Sequence, residues 1–320
     1  MGRRVDAMVT AFVFPGQGSQ SPGMGKELAE NFAAARQVFE EADDALGFAI
    51  SRLCFDGPAE DLQLTENTQP AILTVSVAAY HAMREAGIGP PAFVAGHSLG
   101  EYSALVAAGA LNLSDAVRTV RARGRYMQEA VPVGTGAMAA VIGGALGDIE
   151  RICAEVRQDQ VCSIANFNSP NQAVIAGNTE AVDRAVELLS GVAKRVIKLK
   201  VSAPFHCELM KPAQNRLALD LEGLKFSEPK TPVVTNVDAR ATTAPNELRD
   251  ALVRQVSAPV RWVESMQLLI EQGAGTFIEV GPGKVLSGLM RQISRDVKML
   301  NVEDAASLET TRAALAADIE

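Results

Sequence analysis

The chain is poor in several of the residues on which common chemistries depend. Its 320 residues hold four cysteines, three histidines and one tryptophan, and aromatic side chains make up only 5%. Cys54, Cys153, Cys162 and Cys207 show no C-x-x-C spacing, and His81, His97 and His206 are too few and too scattered to complete a familiar zinc pattern. No metal or redox cofactor is therefore expected, and the cysteines read as reduced thiols of a cytoplasmic protein. Basic residues are outnumbered: 30 Lys and Arg stand against 38 Asp and Glu, a net charge of −8. That balance argues against nucleic acid or an anionic membrane as the main partner, so any anionic ligand must find a local basic site. No apolar run is long enough to span a bilayer, and no internal repeat is visible. The opening "MGRRVDAMVTAFVF" breaks at "PGQG" without a small-residue cleavage site, so a signal peptide is not expected, and residues 1–7 read as an extension ahead of Met8.

What the chain has is apolar material in short, ordered blocks. It is 48% hydrophobic, and β-rich runs such as "MVTAFVF", "AFVAG", "TPVVTNV", "TFIEVG" and "VKMLNV" alternate with helical stretches such as "KELAENFAAARQVFEEADDALG". This alternation predicts an α/β fold with a mainly parallel sheet. From residue 133 to 201 the order changes to β-α-β-β-α-β, which predicts a ferredoxin-like subdomain inserted into a core formed by 8–132 and 202–320.

Within "FVAGHSLGEYSALVAAG" a serine sits between two glycines where an apolar run gives way to a helical pattern. G-x-S-x-G is common by chance, but between a strand and a helix it describes a sharp turn that lifts the serine oxygen clear of the backbone. The turn also aims the first helical N–H groups at developing negative charge. Ser98 is the candidate nucleophile and the Leu99 N–H half of an oxyanion hole; the glycine-rich loop "FVFPGQGSQSPGMGK" offers Gln17 as the other half. That loop fails as a phosphate loop, because Gln20 stands where G-x-x-x-x-G-K needs glycine and Glu27 replaces Ser or Thr. A serine needs a base, most often histidine. His97 abuts Ser98 but should point away from it, and His81 lies mid-helix, so His206 in "VSAPFHCELMKP" remains.

The helix "SDAVRTVRARGRYMQEAV" carries four arginines, and at about 100° per residue three of them, Arg118, Arg121 and Arg125, share a polar side. Arg123 falls about 140° from Arg118, among Ala116, Val120 and Met127. A guanidinium there needs an anion, either an internal Asp or Glu or a substrate carboxylate held bidentately.

Taken together, "PGQGSQ", "GHSLGEYSALVAAG", "RGRYMQEAVPVGTGAMAAV", "NSPNQAVIAG", "FHCELMKP" and "EVGPGKVLSGL" resemble the malonyl-CoA:acyl carrier protein transacylase family, and the resemblance runs from Met8 over nearly the whole chain. It implies a hydrolase-like α/β core with a ferredoxin-like insert, and transfer of malonyl from malonyl-CoA to acyl carrier protein in fatty acid synthesis, without a cofactor and with a monomer as the working unit. It also implies that Ser98 carries the acyl group, that His206 is the base, that Arg123 grips the malonyl carboxylate and that Gln17 and Leu99 N–H groups form the oxyanion hole. Gln255 in "LVRQVSAPVRW" matches the position whose backbone carbonyl orients the histidine, its side chain then being free to lie on a helix surface. Asn166 matches a position near the thioester, and Phe205 the bulky residue of malonyl-selective members. The rival reading is a serine esterase or thioesterase, in which the histidine usually comes late in the chain and Arg123 has no role. The third is a non-catalytic acyl-binding scaffold, against which Ser98 and His206 both speak. Strand alternation in "AKRVIKLKV" puts Lys194, Lys198 and Lys200 on one face, a candidate patch for a carrier protein.

Overall fold

In a computed structural model of the chain, residues 9–199, 201 and 203–317 are described. The core edges expected at Met8, Ser202 and Glu320, and Lys200 of the lysine face, lie outside the described residues. Among the described residues, ten strands form two sheets: β1 (Val9–Phe14), β2 (Phe93–Gly96), β3 (Gly136–Ile142), β4 (Cys162–Ser169), β5 (Gln172–Asn178), β6 (Arg195–Lys198), β7 (Val233–Thr235), β8 (Arg240–Thr242), β9 (Ala274–Val280) and β10 (Lys298–Val302). The larger sheet has the order β10-β9-β1-β2-β7-β8 and is parallel except for β8, a short antiparallel edge strand that the sequence pattern did not reveal.

β1 shows why this sheet is parallel and central. Ala11 to Phe14 are all buried because both faces are covered. Phe12 and Phe14 join a core that includes the helix Thr65–Glu85, whereas Ala11 and Val13 face Trp262, Met266 and Leu269 of the helix Trp262–Glu271. The smaller sheet, β4-β5-β3-β6, is antiparallel throughout. One of its faces, with Ala139, Val141 and Ile175, packs on the helices Leu146–Val156 and Thr179–Leu189. The opposite face, with Met138, Ala140, Val174 and Ala176, packs against Cys207 and turns toward the larger sheet. A bridge between Asn166 of β4 and Val260, just ahead of the helix Trp262–Glu271, ties the smaller sheet to a helix packed on the larger one.

One expectation changes and one gains detail. The long helical stretch after Lys26 is two helices, Lys26–Asn31 and Ala33–Leu46, because Phe32 adopts an extended conformation between them. The lysine face of β6 is the helix-covered one: Val196 packs into the helix-lined core, and Lys198 Nζ lies 2.5 Å from an Asp183 carboxylate oxygen. Lys194 and Lys198 are both exposed, and Lys198 is paired with Asp183 of the helix Thr179–Leu189.

Candidate active site

The strand-to-helix turn at Ser98 is sharp enough to exclude side chains on either flank. A Cβ on Gly96 would fall 1.9 Å from the Gly100 carbonyl oxygen, and one on Gly100 would fall 2.2 Å from the Phe14 carbonyl oxygen at the end of β1. Glycine at these positions lets the helix Gly100–Ala108 start directly against the sheet. Ser98 takes up the strain with φ 53°, a left-handed conformation that L-residues adopt at a cost of about 1–2 kcal/mol. His206, with φ 58°, is held the same way.

Asn236, at the end of β7, locks the turn. Its Oδ1 accepts from the Ser98 backbone N–H at 2.7 Å, and its Nδ2 donates to the Gly96 carbonyl at 2.7 Å. Ser98 Oγ lies 2.7 Å from His206 Nε2, and His206 Nδ1 lies 2.8 Å from the Gln255 carbonyl oxygen. A carbonyl only accepts, so Nδ1 carries the ring proton and Nε2 presents a lone pair to the serine hydroxyl. Burial, and after it the charge of Arg123, pushes the imidazole down to about 3, against the pull of the Gln255 carbonyl, so the ring is neutral at neutral pH.

Arg123 is 2% exposed, on the buried face of the helix Leu113–Glu129. Nη1 donates to Gln69 Oε1 at 2.7 Å, and Nη2 donates to Gln255 Oε1 at 2.9 Å and to Ser98 Oγ at 3.1 Å. Nε is buried without a partner, and no carboxylate of the described residues lies within ion-pair distance. Of the two anions open to it from sequence, an internal direct ion pair is therefore absent among the described residues. Burial lowers the guanidinium pKa, while Tyr102 and Glu101 oppose the shift.

A cavity of about 690 Å³ opens between the two sheets over Ser98. Ser98, Leu99, Gln17, Arg123, Asn166, Phe205 and His206 line it. Gln255 lies behind them, fully buried, and its side chain is no surface amide: Nε2 donates to the Ser98 carbonyl at 2.9 Å and to Glu101 Oε2 at 2.8 Å. The helix Pro245–Gln255 ends here, so its last residue is driven inward under the serine. His97 makes no bond to Ser98; its Nε2 lies 2.9 Å from Asn168 Oδ1 on β4, with the ring edge against Trp262. His81 is exposed.

The sequence reading passed over Asn236, Glu101 and Gln69. A signal existed for two of them: Glu101 and Gln69 are polar residues inside apolar helical runs, the pattern that exposed Arg123. Asn236 had none, since an asparagine after a strand is ordinary turn chemistry.

The acyl transferase domain family matches residues 11–315. A malonyl CoA-acyl carrier protein transacylase of Salmonella typhimurium is 50% identical over 299 residues, 93% of this chain and 97% of that protein. Among solved structures, an acyl carrier protein S-malonyltransferase from Vibrio cholerae superposes with a TM-score of 0.93 at 49% identity, covering 94% of this chain and 99% of the other. A malonyl-transacylase solved in complex with its type II polyketide acyl-carrier protein superposes with a TM-score of 0.92 at 50% identity, covering 94% and 98%.

Proposed function

Because the chain belongs to the acyl transferase domain family, we propose that Ser98 is the nucleophile, His206 its base and Arg123 the grip on a substrate carboxylate in the reaction this enzyme catalyses. That reaction is transfer of the malonyl group from malonyl-CoA to acyl carrier protein. One observation carries the assignment of roles: a single hydroxyl, Ser98 Oγ, lies 2.7 Å from His206 Nε2 and 3.1 Å from Arg123 Nη2. A guanidinium so close to the attacking oxygen suits an acyl group whose carboxylate stands one methylene from its thioester carbonyl.

His206 Nε2 takes the Ser98 proton as Oγ bonds to the thioester carbon. The negative charge that gathers on the carbonyl oxygen rests on the Leu99 and Gln17 N–H groups. The carbon–sulfur bond breaks, and the thiolate of coenzyme A leaves with the proton from His206. The pantetheine thiol of acyl carrier protein then gives its proton to His206 and attacks the malonyl-serine ester, and Ser98 Oγ leaves as the hydroxyl. The malonyl carboxylate also offsets the charge of Arg123, which otherwise depresses His206, so binding the substrate strengthens the base.

We also propose that 133–201 acts as an inserted unit carrying the Asn166 wall of the cavity, with 8–132 and 202–320 as the catalytic core; the separate antiparallel sheet supports this division. No helix among the described residues is long and apolar enough to cross a membrane, and the four free, buried cysteines suit a reducing cytoplasm. Every group of the proposed site comes from one chain, which suits a monomer working in fatty acid synthesis.

Incubation with malonyl-CoA followed by intact-protein mass spectrometry should show one malonyl adduct on the parent protein and none on Ser98→Ala. An adduct that persists on Ser98→Ala would place the nucleophile elsewhere.

A further inference from the structure

The serine turn is supported from behind by a carboxylate that no step of the transfer uses. Glu101 lies on the helix Gly100–Ala108, three residues beyond Ser98, and is fully buried. Both of its bonds fall on one oxygen: Oε2 accepts from the Asn236 backbone N–H at 3.0 Å and from Gln255 Nε2 at 2.8 Å. Oε1 has no partner. A buried carboxyl with one oxygen unmatched is costly to keep, and burial pushes this one up to about 7. Gln255, Asn236 and Arg123 favour the ion, and Asp238 opposes it.

The Gln255 amide has a donor end and an acceptor end, and its surroundings admit one orientation. Nε2 meets Glu101 Oε2, the Ser98 carbonyl at 2.9 Å and Asn236 Oδ1 at 3.4 Å. Oε1 accepts from Arg123 Nη2 at 2.9 Å. Turned over, the amide would set N–H against the guanidinium, which has donors only, and oxygen against the carboxylate. Glu101 and Arg123 make no direct ion pair; among the described residues Gln255 is the one side chain hydrogen-bonded to both the Glu101 carboxylate and the Arg123 guanidinium.

We propose that Glu101 is a positioning residue for malonyl transfer: acting through the Gln255 amide, it holds the Arg123 fork beside Ser98 Oγ, where the fork meets the malonyl carboxylate. The inference rests on the reading of Arg123 as the carboxylate grip. It assigns the work to the acceptor oxygen at Oε2. Glu101→Gln keeps that oxygen and sets its NH₂ at the unmatched Oε1 position, whereas Glu101→Ala removes the acceptor and frees the Gln255 amide to rotate.

The test compares kcat/KM for malonyl-CoA and acetyl-CoA, with acyl carrier protein as acceptor, in the parent, Arg123→Ala, Glu101→Gln, Glu101→Ala, Gln255→Met and the Glu101→Ala/Gln255→Met double variant. Acetyl lacks the carboxylate, so it reports damage to the serine turn alone. Glu101→Ala and Gln255→Met should each lower malonyl transfer about a hundredfold and acetyl transfer no more than about tenfold. Glu101→Gln should stay within about fivefold of the parent for both donors, and the double variant should be no worse than Glu101→Ala, because the two residues act in series. Equal losses for malonyl and acetyl in Glu101→Ala, or a Glu101→Gln variant as impaired as Glu101→Ala, overturns the proposal. If Glu101→Ala does not fold, Gln255→Met decides: an intact malonyl preference there overturns it. A parental preference that survives Arg123→Ala instead overturns the carboxylate-grip reading, and the inference falls with it.

Discussion

His206 Nε2 and Ser98 Oγ lie 2.7 Å apart in a site where burial leaves the imidazole neutral. In the folded chain the ring resists protonation down to about pH 3, whereas in the unfolded chain it protonates near its ordinary 6.5. Below pH 6.5 the unfolded state binds the extra proton, so this residue costs stability as pH falls, at up to about 1.4 kcal/mol per pH unit. Denaturant melts of the parent and His206→Gln between pH 7 and 4 should therefore converge or cross toward acid, with the variant less acid-sensitive; parallel curves would show that the ring titrates normally. Phe205, next to this histidine, lines the same cavity as Ser98 and Arg123. Phe205→Ser should narrow the preference for malonyl over methylmalonyl by about 1–3 kcal/mol, the usual worth of one methyl in a pocket. The ratio of kcat/KM for the two thioesters reads this directly, and an unchanged ratio moves the selectivity to another wall.

At the scale of elements, two helix starts do different work and should fail differently. The helix Gly100–Ala108 begins without a side-chain cap, and its position depends on the absence of side chains at Gly96 and Gly100. The helix Leu113–Glu129 begins with Asn112, whose Oδ1 accepts from the Asp115 N–H at 2.7 Å. Asn112→Ala should cost about 1 kcal/mol of stability and leave malonylation unchanged, because an exposed cap affects the helix end alone. Gly96→Ala must displace the serine turn to clear the Gly100 carbonyl, so malonylation should be lost even where a folded protein is recovered. Thermal melts paired with adduct mass spectrometry separate the two, and a fully active Gly96→Ala protein would contradict the close approach.

Over the whole molecule, the four free cysteines are buried in three places: Cys54 under the larger sheet, Cys153 and Cys162 side by side beneath the helices of the smaller one, and Cys207 between the sheets. Burial raises the Cys54 thiol and pushes Cys207 up to about 12, so neither is a thiolate at neutral pH. A disulfide reagent such as Ellman's should find no rapidly reacting thiol in the native protein and four after unfolding. A fast native reaction at Cys207 with loss of activity would mean that the two sheets part readily at the cavity.

Much of this was legible in the sequence because local chemistry is written locally. The alternation of strands and helices gave the α/β class, and the switch to β-α-β-β-α-β marked the second sheet. The glycines around Ser98 marked a sharp turn, and Arg123 announced itself by falling on an apolar helix face, where only an anion or a buried network could justify it. The edge strand β8 was hidden because three residues carry too little pattern, and that the lysines of β6 share their face with two helices could not be read, because alternation tells which residues share a face but not which face is covered. What only the tertiary structure decided was the company these residues keep. Gln255 looked like a helix-end amide, yet it joins Ser98, Glu101 and Arg123 across 157, 154 and 132 positions of chain. Hydrogen bonds of that reach leave no periodicity behind, because their geometry exists only once two sheets and three helices have packed around one cavity.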